Sequence, residues 1–475
     1  MKATDMKTLN RLLPLVAALV LAGCATALPS LPPAVDTPPQ FKEQPRQNEH
    51  WTVAQPAEAQ SRGTWWKAFN DPVLDALVER AGAGNTGIQE AAARLAQARA
   101  LVRGASADRT PQVGLGAAAD RGTSTSTANG STPGTLLQAG VNFSYEVDLF
   151  GRLSRTQDAA TLDAQSREAL LQSTLLMVQA EVAQTYLALR ATDTERALVN
   201  DTATAYADTL RLTQRRFDAG DVAELDVIRI QTELAATEAE VIALDRARAE
   251  LEHALAVLLG EPVSGFALTP DTTARTLPVI PPGVPATVLA RRPDVAAAQA
   301  SLLAAQARVG VAQAAWFPSV SLTGAAGYAS PELGDLFKWS ARAWGVGALM
   351  SLPIFDGGRR EAEVQGAQAQ FDAAAAQYRG QVLGALREVE DQLSALRLLH
   401  EQSLAQGRAV SAAQRASAIS ETRYRNGLVS QLELLDARRN ELLNRRQAQR
   451  VEAAQQQATV RLVRAIGGGW DVAGA

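Results

Sequence analysis

Little of what an enzyme active site requires is present in these 475 residues. There is one cysteine, Cys24, so no disulfide can form within the chain, and the three histidines, His50, His253 and His400, lie apart from one another with no Cys or carboxylate at zinc-ligand spacing. No hydrolase-type nucleophile motif occurs. The formal net charge is −4, which gives no concentrated basic face of the kind a nucleic-acid partner needs. Aromatic residues are 5% of the chain while hydrophobic residues total 47%, a balance suited to long Ala- and Leu-rich helices rather than to compact aromatic cores. After the first residues no segment holds the roughly 20 consecutive apolar residues of a membrane helix, so any crossing of a bilayer falls to strands.

What the chain does have is a copy of itself. At one offset of 207 residues, without gaps, Gly151-Arg152 recurs as Gly358-Arg359 and Pro111-x-Val113-x-Leu115 as Pro318-x-Val320-x-Leu322. Arg216-Phe217-x-x-Gly220 recurs as Arg423-Tyr424-x-x-Gly427, and Ile88, Ala91 and Leu95 as Val295, Ala298 and Leu302. Solenoid units run to roughly 20 to 50 residues, so this period marks a duplicated half-molecule, with function belonging to what both halves enclose. The same offset disposes of Gly82-x-Gly84-x-x-Gly87, which matches a dinucleotide-binding fingerprint: no strand precedes it, and Leu289, Arg291 and Asp294 stand at the corresponding places. No cofactor is expected.

The N-terminus carries an address. Lys2, Lys7 and Arg11 precede the apolar run Leu12 to Ala22, which is too short to span a bilayer and the right length for a secretory signal. Leu21-Ala22-Gly23-Cys24 then matches a bacterial lipobox, in which cleavage precedes the Cys and the thiol is acylated. Ala25 follows rather than Asp, which directs sorting to the outer membrane, and the Pro-rich stretch from Thr26 to Gln60 reads as an extended strap without a core of its own.

Val141 to Leu149 alternates apolar and polar residues, the pattern of a strand greased on one side and wet on the other. In the second copy Trp344, Val346, Ala348, Met350, Leu352 and Ile354 form the matching apolar set. Weaker strands precede each, Gln112 to Ala119 and Ser319 to Tyr328, with a Ser/Thr/Gly/Pro-rich connection at Thr123 to Thr135 in the first hairpin. Such strands also suit a soluble sandwich; the outer-membrane address and the strand lengths favour membrane hairpins. Four strands cannot close a barrel, since the smallest have about eight, and an open edge in lipid is not tolerated. Oligomerisation must complete it.

Between Arg152 and Phe217 there is neither Gly nor Pro, and at roughly 1.5 Å per residue these 66 positions make a helix of about 100 Å. Leu171, Leu175, Val178, Val182 and Leu189, and Val382, Leu386, Val389, Leu393 and Leu396, lie at coiled-coil spacing. Gly-centred turns at Gly220 and Gly427 end the long helices, and shorter helices return over roughly Glu224 to Leu258 and Gln431 to Val463. Helices over roughly Ile88 to Asp108 and Val295 to Ala315 precede the hairpins. The short helices can cover a long one only by stacking end to end, as in a hollow helical cylinder.

Trp65-Trp66-x-x-Phe69-x-Asp71-Pro72-x-Leu74, Tyr145-Glu146-Val147-Asp148-Leu149-Phe150-Gly151-Arg152 and Arg291-Arg292-Pro293-Asp294-Val295 together resemble the TolC-like outer membrane factor family, in its lipoprotein branch of multidrug and metal efflux channels. The resemblance runs from about Arg62 to Gly469. It implies a mainly α fold with a membrane β-barrel portion: a homotrimer giving four strands per protomer to a 12-stranded antiparallel barrel, continuous with a long α-helical coiled-coil barrel. The Asp71-Pro72 region, the Pro262 to Pro285 linker and the C-terminus would form a belt around it. The implied partners are outer-membrane lipid, a periplasmic adaptor and an inner-membrane pump of the resistance-nodulation-division type. The chain divides accordingly into a signal peptide (1–23), an anchored segment (24–61), repeat one (62–262), a linker (263–287), repeat two (288–469) and a tail (470–475).

The family position also implies two sites. Gly220, Gly427 and Leu428 would form the adaptor-docking tip, because Gly427-Leu428-Val429-Ser430 resembles the adaptor-contact motif, although each Gly is in any case a helix stop. Leu432, Asp436 and Arg439, at i, i+4 and i+7 on one helical face, match the family's constriction of an apolar and a charged ring. By spacing alone the same pair is an ordinary surface ion pair. The first copy offers Leu225 and Arg229 in place of Leu432 and Asp436. The function implied is that of an outer-membrane exit channel for drugs or other small toxic solutes; a type I protein-secretion channel and a metal-ion efflux channel share the fold and differ in partner or cargo.

Overall fold

The computed structural model describes residues 28–33, 36–43, 63–123, 133–273, 277–278 and 285–468. Cys24 and the signal segment lie outside the described residues, as do 124–132 and the tail from 469.

A short 3-10 turn at Trp65–Phe69 leads into α1 (Pro72–Gly84) and α2 (Thr86–Ala107), followed by β1 (Gln112–Thr123), β2 (Pro133–Val147), the 67-residue α3 (Arg152–Asp218) and α4 (Glu224–Leu259). The second copy runs α5 (Pro285–Arg291), α6 (Pro293–Ala314), β3 (Ser319–Ser330), β4 (Arg342–Ser351), α7 (Arg359–Arg425) and α8 (Gln431–Ala465). Both ends of α6, β3 and α7 lie 207 residues after those of α2, β1 and α3, so the repeat seen in the sequence is a repeat of structure.

The four strands form one antiparallel sheet in the order β1-β2-β3-β4. The two hairpins are joined by β2 and β3, paired from Leu137↔Ser330 to Val147↔Val320, which leaves β1 and β4 as edges. The register sorts the faces: Val113↔Phe143, Leu115↔Val141, Tyr145↔Leu322 and Gly324↔Val346 share one, and Gly114↔Asn142, Ser144↔Thr323 and Glu146↔Ser321 share the other.

The strand ends depart from the alternation. β2 stops at Val147, two residues before Leu149, because Asp148 turns to accept from the backbone N–H groups of Leu153 and Ser154 at 3.0 and 2.7 Å and so starts α3. β4 stops at Ser351, short of Leu352 and Ile354, where Pro353 has no N–H for a ladder. At the other end β1 and β2 take in Thr123 and Thr135, both expected in the connection.

Two compact units divide these elements. One contains Ala93–Glu168 and Ala297–Arg379 with the described residues before 35. It holds the sheet and a core where Leu302, Ala305 and Val309 of α6 meet Phe371 of α7. That packing explains α6, whose mean hydropathy over its most apolar window is 1.2, within the range of a membrane helix, with half of the window buried. The N-terminal segment joins this unit where Gln306 donates to the Pro29 carbonyl at 2.7 Å.

The other unit contains Val35–Ala92, Ala169–Ala296 and the chain from Gly380 on. Its core gathers Trp65, Trp66, Phe69, Leu74 and Leu77 with Leu255, Leu259, Val288 and Val460 to Ile466, and receives the expected stripe: Val178, Val182, Leu189, Val389 and Leu393 are buried. Asp71 caps α1 by accepting from Val73 and Leu74 at 3.0 and 3.3 Å, with Pro72 at the position where a missing N–H costs nothing. The buried Tyr186 hydroxyl donates to its other oxygen at 2.7 Å, and burial together with that carboxylate holds the phenol above its ordinary value. Phe41 adds an N-terminal residue to this core, and the Lys42 and Glu43 amides donate to Glu390 at 2.7 and 2.9 Å.

Close packing against Gly260 accounts for one of the fingerprint-like glycines, Gly84. Where α1 ends against the end of α4, a β-carbon on Gly84 would stand 2.3 Å from the Leu259 carbonyl oxygen. One on Gly260 would stand 2.2 Å from the Gly84 oxygen. Asn85 closes the crossing, accepting from Gly87 and Ile88 at 2.9 and 3.2 Å and donating to the Leu258 carbonyl at 2.8 Å.

Candidate gate and docking turns

The two turns that end α3 and α7 are built identically. Asp221 donates to the Arg216 carbonyl at 2.8 Å and Gly220 to Phe217 at 2.8 Å; Leu428 donates to Arg423 at 2.9 Å and Gly427 to Tyr424 at 3.0 Å. This closure needs a left-handed residue, and Gly220 and Gly427 have φ of +81° and +72°. Nothing lies within 4 Å of a β-carbon built on either, so the outer side of both turns is open, and Leu428 is exposed. Arg216 connects the copies: its guanidinium lies 5.7 Å from the Tyr424 ring centroid and 3.5 Å from the hydroxyl.

Beyond the second turn Ser430 caps α8 by accepting from Glu433 at 3.4 Å. Leu434 and Leu435 are buried, the latter against Tyr206 and Ile230, and fix which face of α8 points inward. Leu432, Asp436 and Arg439 fall together on the other side, all exposed or half-exposed, as their spacing requires. Arg439 lies 3.5 Å from Asp436 and also donates to Glu233 of α4, which holds its guanidinium above the ordinary value. Leu225, the pseudo-symmetric partner of Leu432, is likewise exposed, and Arg229 pairs with Asp226 at 3.5 Å within its own helix.

Sequence reasoning singled out Asp436 and Arg439 and missed Glu233, which ties Arg439 to the neighbouring helix. The signal was there, since Glu233 lies one turn beyond Arg229 on α4, but nothing in one helix's spacing says which helix lies beside it. Also missed was Gln431, a buried amide donating to Thr213 and to the Asp226 carbonyl at 3.4 and 3.3 Å. Further along the same helices Arg446 reaches Glu195 at 2.7 Å and Glu240 at 2.5 Å, fastening α8 to both α3 and α4.

Comparison with known proteins gives one consistent answer. The model of the family described as outer membrane efflux protein matches residues 77–261 and 284–468, and both ends of the second stretch lie 207 residues after those of the first. The chain is 33% identical over 465 residues to the probable efflux pump outer membrane protein TtgC of Pseudomonas putida, covering 96% of this chain and 94% of that one. It is 33% identical over 413 residues to the outer membrane protein OprJ of Pseudomonas aeruginosa, covering 86% of each. The solved structure of the outer-membrane channel OprN superimposes with a TM-score of 0.85 at 33% identity, over 94% of this chain and 99% of that one.

Proposed function

The chain belongs to the outer membrane efflux protein family, and from that premise we propose that it is the passive exit duct of a tripartite efflux system, conducting small toxic solutes outward. It resides in the outer membrane. The observation that carries the reading is the sheet: four strands with one apolar face and two unpaired edge strands, in a chain that matches an outer-membrane channel over nearly its whole length. Edges exposed to lipid are unstable, and pairing β4 of one copy with β1 of the next in a homotrimer removes them in a 12-stranded barrel.

The finer parts of the proposal rest on the sequence patterns at these residues and, for the turns, on their open outer side. Acylation at Cys24 anchors the N-terminus after removal of 1–23. The open turns at Gly220 and Gly427, with Leu428, receive the periplasmic adaptor, which links the duct to a pump of the resistance-nodulation-division type. Leu432, Asp436 and Arg439 of three copies form the shut constriction. Drugs or other small toxic solutes, not exported proteins, are the cargo, in keeping with TtgC, an efflux pump outer membrane protein matched over most of both chains.

The test is complementation. A strain that keeps its adaptor and pump but lacks their outer-membrane partner is given this gene, and retention of a fluorescent dye is followed. Restored export supports the reading, and a well-expressed, outer-membrane-located protein that restores none contradicts it.

A further inference from the structure

At the β3–β4 turn the sheet presents a cation beside a cluster of exposed aromatic rings. Arg342 opens β4 opposite Tyr328, on the same face as Trp344, Val346, Ala348 and Met350. At about 3.3 Å per residue and a tilt of about 40°, the length of β4 from Arg342 to Ser351 corresponds to a rise of roughly 25 Å, the height of the lipid-facing belt of a membrane barrel. Arg342, the first residue of β4, therefore stands at the rim of the belt. An Arg facing lipid costs about 2–4 kcal/mol at the midplane and about 0–1 kcal/mol at the interface, which places it among headgroups.

Its surroundings have a definite chemistry. The Arg342 guanidinium stacks on Trp339, 3.0 Å from the ring centroid, and Nε donates to the Trp339 carbonyl at 2.8 Å. No carboxylate among the described residues pairs with it: Asp335 in the same turn is taken by Lys338, and Glu332, the turn's other carboxylate, makes no ion pair with it. The remaining guanidinium N–H groups keep the fork that suits a phosphate. Around it Leu333, Phe337, Trp339 and Trp344 are 70–80% exposed, and the Phe337 ring meets Tyr328 edge-on at 5.6 Å, drawing the turn onto the apolar face. On β1, the other edge strand, Arg121 occupies the same face at the same end of the sheet and has no carboxylate partner among the described residues.

We propose that the β3–β4 turn is a binding site for a phosphorylated glycolipid of the outer leaflet, with Arg342 on Trp339 holding the phosphate and Phe337 and Trp344 lying along the acyl chains. The proposal rests on the channel reading, which puts this turn at the outer leaflet. The ligand must join an anion to apolar chains at short range, since the unpaired cation and the exposed rings are within one turn. A zwitterionic headgroup fits poorly because its ammonium would meet Arg342 and Lys338. With the edges closed between protomers, Arg121 of a neighbouring copy supplies a second cation on the same rim, which favours a headgroup with more than one phosphate.

The full-length protein in dodecylmaltoside is examined by native mass spectrometry with bisphosphorylated lipid A, monophosphorylated lipid A and phosphatidylglycerol as probes. The trimer is expected to retain bisphosphorylated lipid A about tenfold better than phosphatidylglycerol, with the monophosphorylated form between them. Arg342→Gln removes most of that preference, and Arg103→Gln, an exposed cation on α2, leaves it. Equal retention of lipid A and phosphatidylglycerol by the unaltered protein overturns the site without recourse to any variant, as does an undiminished preference in Arg342→Gln. Folded trimers without the preference overturn this inference alone; absence of trimers overturns the channel architecture and this site with it.

Discussion

Arg292 and Asp294, separated by a proline, face each other as a fork: Nε and Nη2 of the arginine donate to the two carboxylate oxygens at 3.0 and 2.6 Å. Arg292 also reaches Glu388 of α7 at 2.8 Å and the Ala465 carbonyl of α8 at 3.0 Å, and Gln381 donates to Asp294 at 2.5 Å. The motif that signalled the family in the sequence is thus a buried clasp fastening the start of α6 to α7 and to the end of α8.

Burial alone would raise the Asp294 carboxyl; the Arg292 hydrogen bonds and charge outweigh it and hold the group below its ordinary range. Its contribution to stability is therefore fully present above the unfolded value of about 3.9 and is lost as pH falls through the lowered folded value. Arg292→Ala strands two carboxylates and is expected to cost about 3 kcal/mol. Asp294→Asn should lower the unfolding midpoint of the purified protein at pH 7 and lower it less at pH 3. An equal loss at both pH values would show that the charge is not what matters.

The Gly84 and Gly260 crossing gives a sharper contrast. Gly260→Ala forces a β-carbon into the Gly84 carbonyl at a residue with φ of +73° and should prevent accumulation of folded protein. Gly82, two residues before Gly84, is exposed in α1 with nothing within 4 Å, so Gly82→Ala should stabilise by about 0.5–1 kcal/mol through helix propensity. Thermal unfolding of the two variants side by side checks both statements.

Most of the fold was legible because the sequence says it twice. The absence of Pro from Arg152 to Phe217, and the alternation through Val141 to Val147, each had a second witness 207 residues on, although the second long helix carries Gly366, Gly380, Gly384 and Gly407 where the first has no glycine. The strand ends were not legible, since Asp148 continues the polar alternation yet serves as a helix cap, and period alone does not separate those roles. Of the candidate site, the face carrying Leu432, Asp436 and Arg439 could be read from spacing within one helix. Glu233 could not, because its role depends on α4 lying beside α8. The Tyr186 bond to Asp71 across 115 residues has no sequence signal of any kind.

For the docking turn a substitution must leave the left-handed backbone in place. Asparagine tolerates that conformation better than other side chains, and the space outside Gly427 is open. Gly427→Asn should therefore reach the outer membrane as trimers while losing adaptor affinity and dye export. Unimpaired adaptor binding, measured by surface plasmon resonance, would remove this turn from the interface.

Acylation is checked by intact mass. The mature protein is expected to begin at Cys24 and to carry acyl chains, since one chain alone anchors only marginally. Cys24→Ser should still yield trimers, because pairing of the strand edges does not involve the anchor. A mature chain beginning elsewhere, or without lipid, refutes the anchor.

The central claim is that this protein is an outer-membrane duct kept shut by Leu432, Asp436 and Arg439, and single-channel recording in a planar bilayer tests it most directly. Because Arg439 holds both Asp436 and Glu233 whereas Asp436 loses a single exposed partner worth under about 1 kcal/mol, Arg439→Ala should open the channel more than Asp436→Ala does. The account predicts small discrete steps for the unaltered protein and clearly larger ones for Asp436→Ala, Arg439→Ala and their combination with Leu432→Ala, in rising order. Inserted trimers that give no steps in any of these forms would contradict the duct itself, and steps of unchanged size in the triple variant would place its constriction elsewhere.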